Sequence, residues 1–220
     1  MKKKINFVIL VLVLSSLSCN LLEVFDGEQV ETPELASTDT EQPAHTPTLT
    51  EEPPAALTLE ATAEIVIYAL AEMDMETVAE FVHPVMGVRF SPYTYVEEDH
   101  QVFMPGELPT LGDSDEIFLW GAYDGTGDPI ELTFEEYYQE FIYSADFANP
   151  EDMAVDEELG WSSMTNNIEE FYPGSSFVEY HFSGFDEQYG GMDWRSLRLV
   201  FIEEAGHWFL VGVVNDQWTI

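Results

Sequence analysis

The sequence predicts an α+β domain in which a strongly curved antiparallel sheet packs on N-terminal helices, preceded by a disordered stalk. Three observations lead there. Residues 57–82 carry apolar side chains at helical spacing, residues 176–214 run as strand, turn, strand and strand, and residues 23–54 hold few large apolar groups.

Met1 to Ser18 reads as an export signal, with Lys2, Lys3 and Lys4 ahead of the short apolar run Ile5–Leu14. Such a run is too short to cross ~30 Å of hydrocarbon as a helix. Cys19 is the single cysteine, so no intramolecular disulfide can form. Residues 19–56 form a Thr/Pro/Glu-rich tether in which Pro33, Pro43, Pro47, Pro53, Pro54 and like charges favour extended chain. The remainder, 57–220, is one domain's worth of sequence.

Leu59, Ala63, Val66, Ala69 and Leu70 make one stripe of a first helix, and Asp74 is placed to cap a second. That helix buries Met75, Val78, Ala79 and Val82 and ends at His83-Pro84, because proline disfavours helical backbone in the residue before it. Residues 87–96 read as a short strand running into a loop, and 97–116 as acidic loop. Residues 117–123 are strand-like, and the turn at 124–129 follows. Asp124 and Asp128 there lack the remaining spaced oxygens of a calcium loop, so a plain turn is expected. Thr133 and Glu136 form a capping box ahead of the stripe Phe134, Tyr137, Tyr138, Phe141 and Ile142. Residues 146–160 read as loop, and 166–171 as the start of another strand.

The chain is organised around residues 176–201. Val178, Tyr180 and Phe182 alternate with Glu179 and His181, and Leu197, Leu199 and Phe201 alternate with Arg198 and Val200. Apolar residues on both faces of the second run mark an interior strand. Arg195 and Arg198 are expected to pair with carboxylates such as Asp193 or Glu179 and fix the register. The sharper alternative is an anion-holding pair at a pocket mouth.

Beyond Lys4 the fixed positive charges are Arg89, Arg195 and Arg198, against 43 Asp and Glu. A phosphate backbone would be repelled, so nucleic acid is excluded as a partner. The absence of later lysines removes P-loop, Schiff-base and Ser-x-x-Lys chemistry. The segment Gly160-Trp161-Ser162-Ser163-Met164 lacks the closing glycine of a nucleophile elbow. No cofactor and no metal site is expected.

Cys19, directly after the signal core, resembles the lipobox of bacterial lipoproteins, although Ser16 stands where that pattern has a branched aliphatic residue. The resemblance implies a diacylated Cys19 as mature N-terminus, anchored to the bacterial cell envelope on its extracytoplasmic side. Secretion with cleavage near Ser18 and a free thiol is the alternative. From His83-Pro84 through GVRFSPY (87–93), YDGTGDPIELTF (123–134), residues 178–201 and DQWTI (216–220), the chain is similar to an uncharacterised domain of bacterial secreted proteins and lipoproteins. In element order it also resembles the nuclear-transport-factor-two-like cone, which implies a bent sheet wrapped around a pocket.

These readings make the protein a membrane-tethered binding module for an unknown small molecule or peptide. The candidate lining on the concave sheet face is Glu179, His181, Arg195, Trp194 and Tyr180. An enzyme using His181 as general base, oriented by Glu179 or Asp193, and a structural envelope protein are the alternatives. No catalytic residue is assigned.

Overall fold

The computed structural model describes residues 56–160 and 162–219; the predicted signal, Cys19 and most of the tether lie outside them. Helix α1 (Leu59–Ala71) starts where the Thr58 hydroxyl accepts the Ala61 N–H, and it buries the predicted stripe. Helix α2 (Met75–Phe81) is capped by Asp74, whose carboxylate accepts from the Thr77 N–H at 3.1 Å. His83 ends this region by accepting the N–H groups of Val85 and Met86 on Nδ1.

The main sheet has six strands in the order β2-β1-β8-β7-β6-β5. In chain order they are β1 (Val88–Ser91), β2 (Val102–Phe103), β5 (Asp152–Val155), β6 (Ser176–Phe182), β7 (Arg195–Glu204) and β8 (His207–Gln217). A separate hairpin joins β3 (Phe118–Ala122) to β4 (Pro129–Leu132). The sheet is mostly antiparallel, with one departure from expectation: β1 runs parallel to β8, pairing Arg89 with Gly212 and Ser91 with Val214. The long excursion between β1 and β8 lets these two strands run side by side in the same direction.

Both sheet faces are covered. Val178, Tyr180, Leu197, Leu199, Phe201 and Leu210 share the main core with α1, α2 and the hairpin. On the other face Val200, Val211 and Val214 pack with Val96, Ile168 and Tyr172. Trp120 anchors the hairpin to the main core: it is wholly buried, its Nε1 donates to the Leu132 carbonyl, and its ring stacks on Tyr137 at 3.8 Å. The capping box at Thr133 opens α3 (Phe134–Tyr137), which continues as a π-helical turn through Ile142. Tyr137, Tyr138, Phe141 and Ile142, spaced along one helical face, are all buried.

Three segments differ from the sequence reading, the first being 97–116, read as acidic loop, which holds strand β2 paired with β1. Residues 166–171 hold a short helix, α4 (Ile168–Phe171), and no strand. The reason is tertiary: Asn167 clamps Val96, accepting its N–H at 2.7 Å and donating to its carbonyl at 2.9 Å, which fixes the chain direction there. Within the acidic stretch 146–160 lies β5, an edge strand along β6. Met153 is 53% exposed, so β5 lacks the half-buried alternation by which strands are read.

Candidate functional site

Strand periodicity sorts the five predicted site residues onto two faces. Across β6 and β7, Glu179 lies opposite Arg198, His181 opposite Ser196, and Phe182 opposite Arg195. Glu179, His181, Ser196 and Arg198 therefore project from one face, joined by Asp216, which pairs with Ser196 across β7 and β8. Tyr180 and Arg195 project from the other, where Tyr180 is buried in the main core. Trp194, just before β7, keeps the first face's parity, and its ring centroid is 6.0 Å from that of His181.

The first face holds a buried polar network. Arg198 is fully buried. Its Nε donates to Glu179 Oε2 at 2.8 Å, Nη1 to Thr94 Oγ1 at 2.6 Å, and Nη2 to the Gly160 carbonyl at 3.2 Å, with Asp216 Oδ2 2.9 Å from Nη2. Glu179 Oε1 accepts from Ser196 Oγ at 2.5 Å and from the Gly160 N–H at 2.9 Å. Gly160 must be glycine, because a Cβ would lie 2.7 Å from Ser196 Oγ and press into the Trp194 ring. Two buried carboxylates share one guanidinium, a third, the exposed Glu158, lies 3.8 Å from Nη2, and burial holds the Asp216 carboxyl up at about 6. Arg198 stays charged among these carboxylates.

This network does not assemble acid–base catalysis. The Ser196 hydroxyl donates its hydrogen bond to Glu179, so His181 Nδ1–H donates to Ser196 Oγ at 2.8 Å. Burial pulls the His181 pKa down, which favours the neutral ring. The serine thus sits between carboxylate and imidazole, whereas a nucleophilic triad puts the imidazole between carboxylate and serine. Arg195 differs from the expected ion pair. Among the described residues no carboxylate lies within 4 Å of it, and its guanidinium reaches only the Trp194 carbonyl at 3.5 Å. The Asp193 carboxylate instead accepts the N–H groups of Phe185 and Asp186. Arg89 donates through Nη1 to the carbonyls of Glu97, Glu98 and His100 and lies over the Phe171 ring.

A concave site lies elsewhere, one of several hollows among the described residues, where the loop after β1 meets the β3–β4 hairpin. A cavity of about 720 Å³ is lined there by Tyr93, Tyr95, His100, Gly121, Tyr123 and Asp124, among others. The loop is held from behind at alternate residues. Asn215 Nδ2 donates to the Pro92 carbonyl, Arg198 to Thr94, and Asn167 holds Val96 by both backbone groups. Tyr93 accepts the Asp124 N–H on its hydroxyl at 3.2 Å, tying loop to hairpin.

His100 is the sharpest feature of this cavity. It is 6% exposed, and burial lowers its pKa to about 4 against the opposing pull of Asp99, with Arg89 adding a smaller push downward. Nδ1 accepts the Glu97 N–H at 3.2 Å and lies 3.0 Å from Ser91 Oγ. Because a backbone N–H can only donate, Nδ1 is bare and the proton of the neutral ring sits on Nε2. A Cβ at Gly121 would be 3.4 Å from that Nε2, and φ there is +131°, so glycine is required. Glu97, Asp99 and His100 bring one ligand atom each within 4.8 Å of one another, but with Nδ1 accepting a backbone N–H and Nε2 protonated the imidazole has no free lone pair to give an ion. The 124–129 segment is the hairpin turn, with Gly127 N–H donating to the Tyr123 carbonyl.

No protein-family model matches the chain, and no curated protein matches it. A solved structure described as a calcium/calmodulin dependent protein kinase II association domain from Xanthomonas campestris is similar at 12% identity. The match covers 76% of this chain and 94% of that one with a TM-score of 0.30, too small a shared backbone to carry fold or function across. Among the described residues no helix is long and apolar enough to cross a membrane.

The depressed His100 pKa has a definite consequence for stability. Between pH 6.5 and about 4 the unfolded chain takes up a proton that the folded ring refuses, so stability falls as pH drops through that window. In urea titrations the parent protein should lose up to about 3 kcal/mol relative to His100→Gln across this range. A gap between the two that stays constant with pH would contradict this placement of His100.

Proposed function

We propose that the folded region is a non-enzymatic binding module for a small ligand, seated in the cavity between residues 92–101 and the β3–β4 hairpin. The observation that supports it most is His100: a buried, neutral imidazole with Nδ1 held by Ser91 and Glu97 and Nε2 turned toward Gly121 of the same lining. A pocket of this volume with a few fixed polar groups among aromatic walls is the ordinary form of a small-molecule site. This places the ligand away from residues 176–201, where the polar groups of Glu179 and Arg198 are already occupied by each other and by Gly160, Ser196 and Thr94. His181 as a general base has less support, since its Nδ1–H is committed to Ser196.

The proposal keeps the sheet strongly curved, residues 19–56 as an extended stalk, and a lipidated Cys19 as the anchor to a bacterial envelope. The motive is the signal-like Met1–Ser18 ahead of a lone cysteine. Cys19→Ser should move the protein from the membrane fraction to the soluble one; unchanged fractionation would remove the anchor from the account.

Site and scaffold separate by amide chemical-shift mapping of the full chain against a small-molecule fragment mixture. Shifts should gather at the amides of His100, Gly121, Gly125 and Gly127. Shifts gathered instead on Tyr180, His181 and Arg195 would restore the sheet face as the site and overturn this one.

A further inference from the structure

The proposed cavity also carries a charge bias that narrows its occupant. Glu97, Asp99 and Asp124 border it, and no Lys or Arg lines it among the described residues. One oxygen of Asp124 is buried without a hydrogen-bond partner, and no ion pair reaches that carboxylate among the described residues. Arg89 has its Nη1 taken up by three backbone carbonyls and lines a neighbouring trough. His100 does not supply the missing positive charge, because Nδ1 accepts a backbone N–H and so carries no proton; the ring offers a single donor, Nε2–H.

Tyr93, Tyr95 and Tyr123 stand on the same lining. Tyrosine rings attract cations through the negative face of the ring, and carboxylates at the rim add to that field. An inorganic ion would need only a small part of about 720 Å³, and His100 Nδ1, one of the nitrogens it could use, is spent on Glu97 and Ser91.

We propose that the cavity binds a small organic cation, an amine or quaternary ammonium whose body also presents a hydrogen-bond acceptor to His100 Nε2. This rests on the reading of the cavity as the ligand site. The positive group lies among the tyrosines and the Glu97, Asp99 and Asp124 carboxylates, and a hydroxyl or carbonyl oxygen reaches the imidazole N–H. The surrounding acidic surface raises the local concentration of such ligands and repels anionic ones.

The test titrates the full chain with choline, ethanolamine, 3,3-dimethylbutan-1-ol, acetate and calcium chloride, following the His100, Gly121 and Gly125 amides and the heat of binding. Choline or ethanolamine should shift these amides, and the uncharged alcohol, which copies the shape of choline, should bind at least about tenfold more weakly. Glu97→Gln with Asp99→Asn, both exposed positions whose change leaves the fold intact, should weaken the cation by about tenfold and leave the alcohol unchanged. Equal binding of choline and the alcohol at these amides would overturn the ligand class while leaving the cavity as a binding site. Calcium saturating the same amides and excluding choline would overturn the organic cation. Silence of these amides toward every probe would overturn both the ligand class and the site.

Discussion

The buried guanidinium of Arg198 is the constraint on which the rest of the structure depends. It joins β7 to β6 through Glu179, to β8 through Asp216, to residue 160 through a backbone carbonyl, and to the loop after β1 through Thr94. The cost of taking such charges out of water offsets much of their mutual attraction, so the network contributes more to geometry than to net stability. Arginine is suited to the position because its planar fork addresses several acceptors at fixed angles, which a lysine ammonium does not. A one-residue slip of β6 against β7 would put Glu179 on the apolar face and leave the guanidinium unpaired, so this register is strongly specified.

The same face that fixes the sheet also holds the cavity in shape. Arg198, Asn215 and Asn167 grip Thr94, Pro92 and Val96 from behind. The intervening Tyr93 and Tyr95 belong to the cavity lining, and His100 is locked a few residues on by Ser91 and the Glu97 N–H. A loop with three buried polar pins loses little further freedom when a ligand arrives, which favours binding by a preformed site. On the opposite wall Trp120, stacked on Tyr137 and bonded to Leu132, sets the hairpin that carries Gly121 and Asp124.

Much of the scaffold was legible from the sequence because it is written in local patterns. The α1 stripe, the Asp74 cap, the Thr133–Glu136 box and the two-faced character of β7 each depend on residues a few positions apart. β5 left no such trace, being an acidic edge strand with exposed Met153, and the helix Ile168–Phe171 follows Asn167, whose side chain is bound to the distant Val96. The cavity was illegible for the same physical reason. Its loop has no period, and its pins come from residues 71, 104 and 123 positions further along the chain. Of the residues read as a site, Glu179, His181 and Trp194 do share one face with Arg198, while Tyr180 and Arg195 belong to the other. Alternation within each run was readable; which oxygen or nitrogen each polar group would meet was not.

Native-state hydrogen exchange of the loop amides tests the pinned, preformed cavity most directly. The Val96 and Glu97 amides, held by Asn167 Oδ1 and His100 Nδ1, should exchange as slowly as the central amides of β7 and β8 and open only with global unfolding. Exchange at those two positions that runs orders of magnitude ahead of an intact, protected sheet would contradict the account.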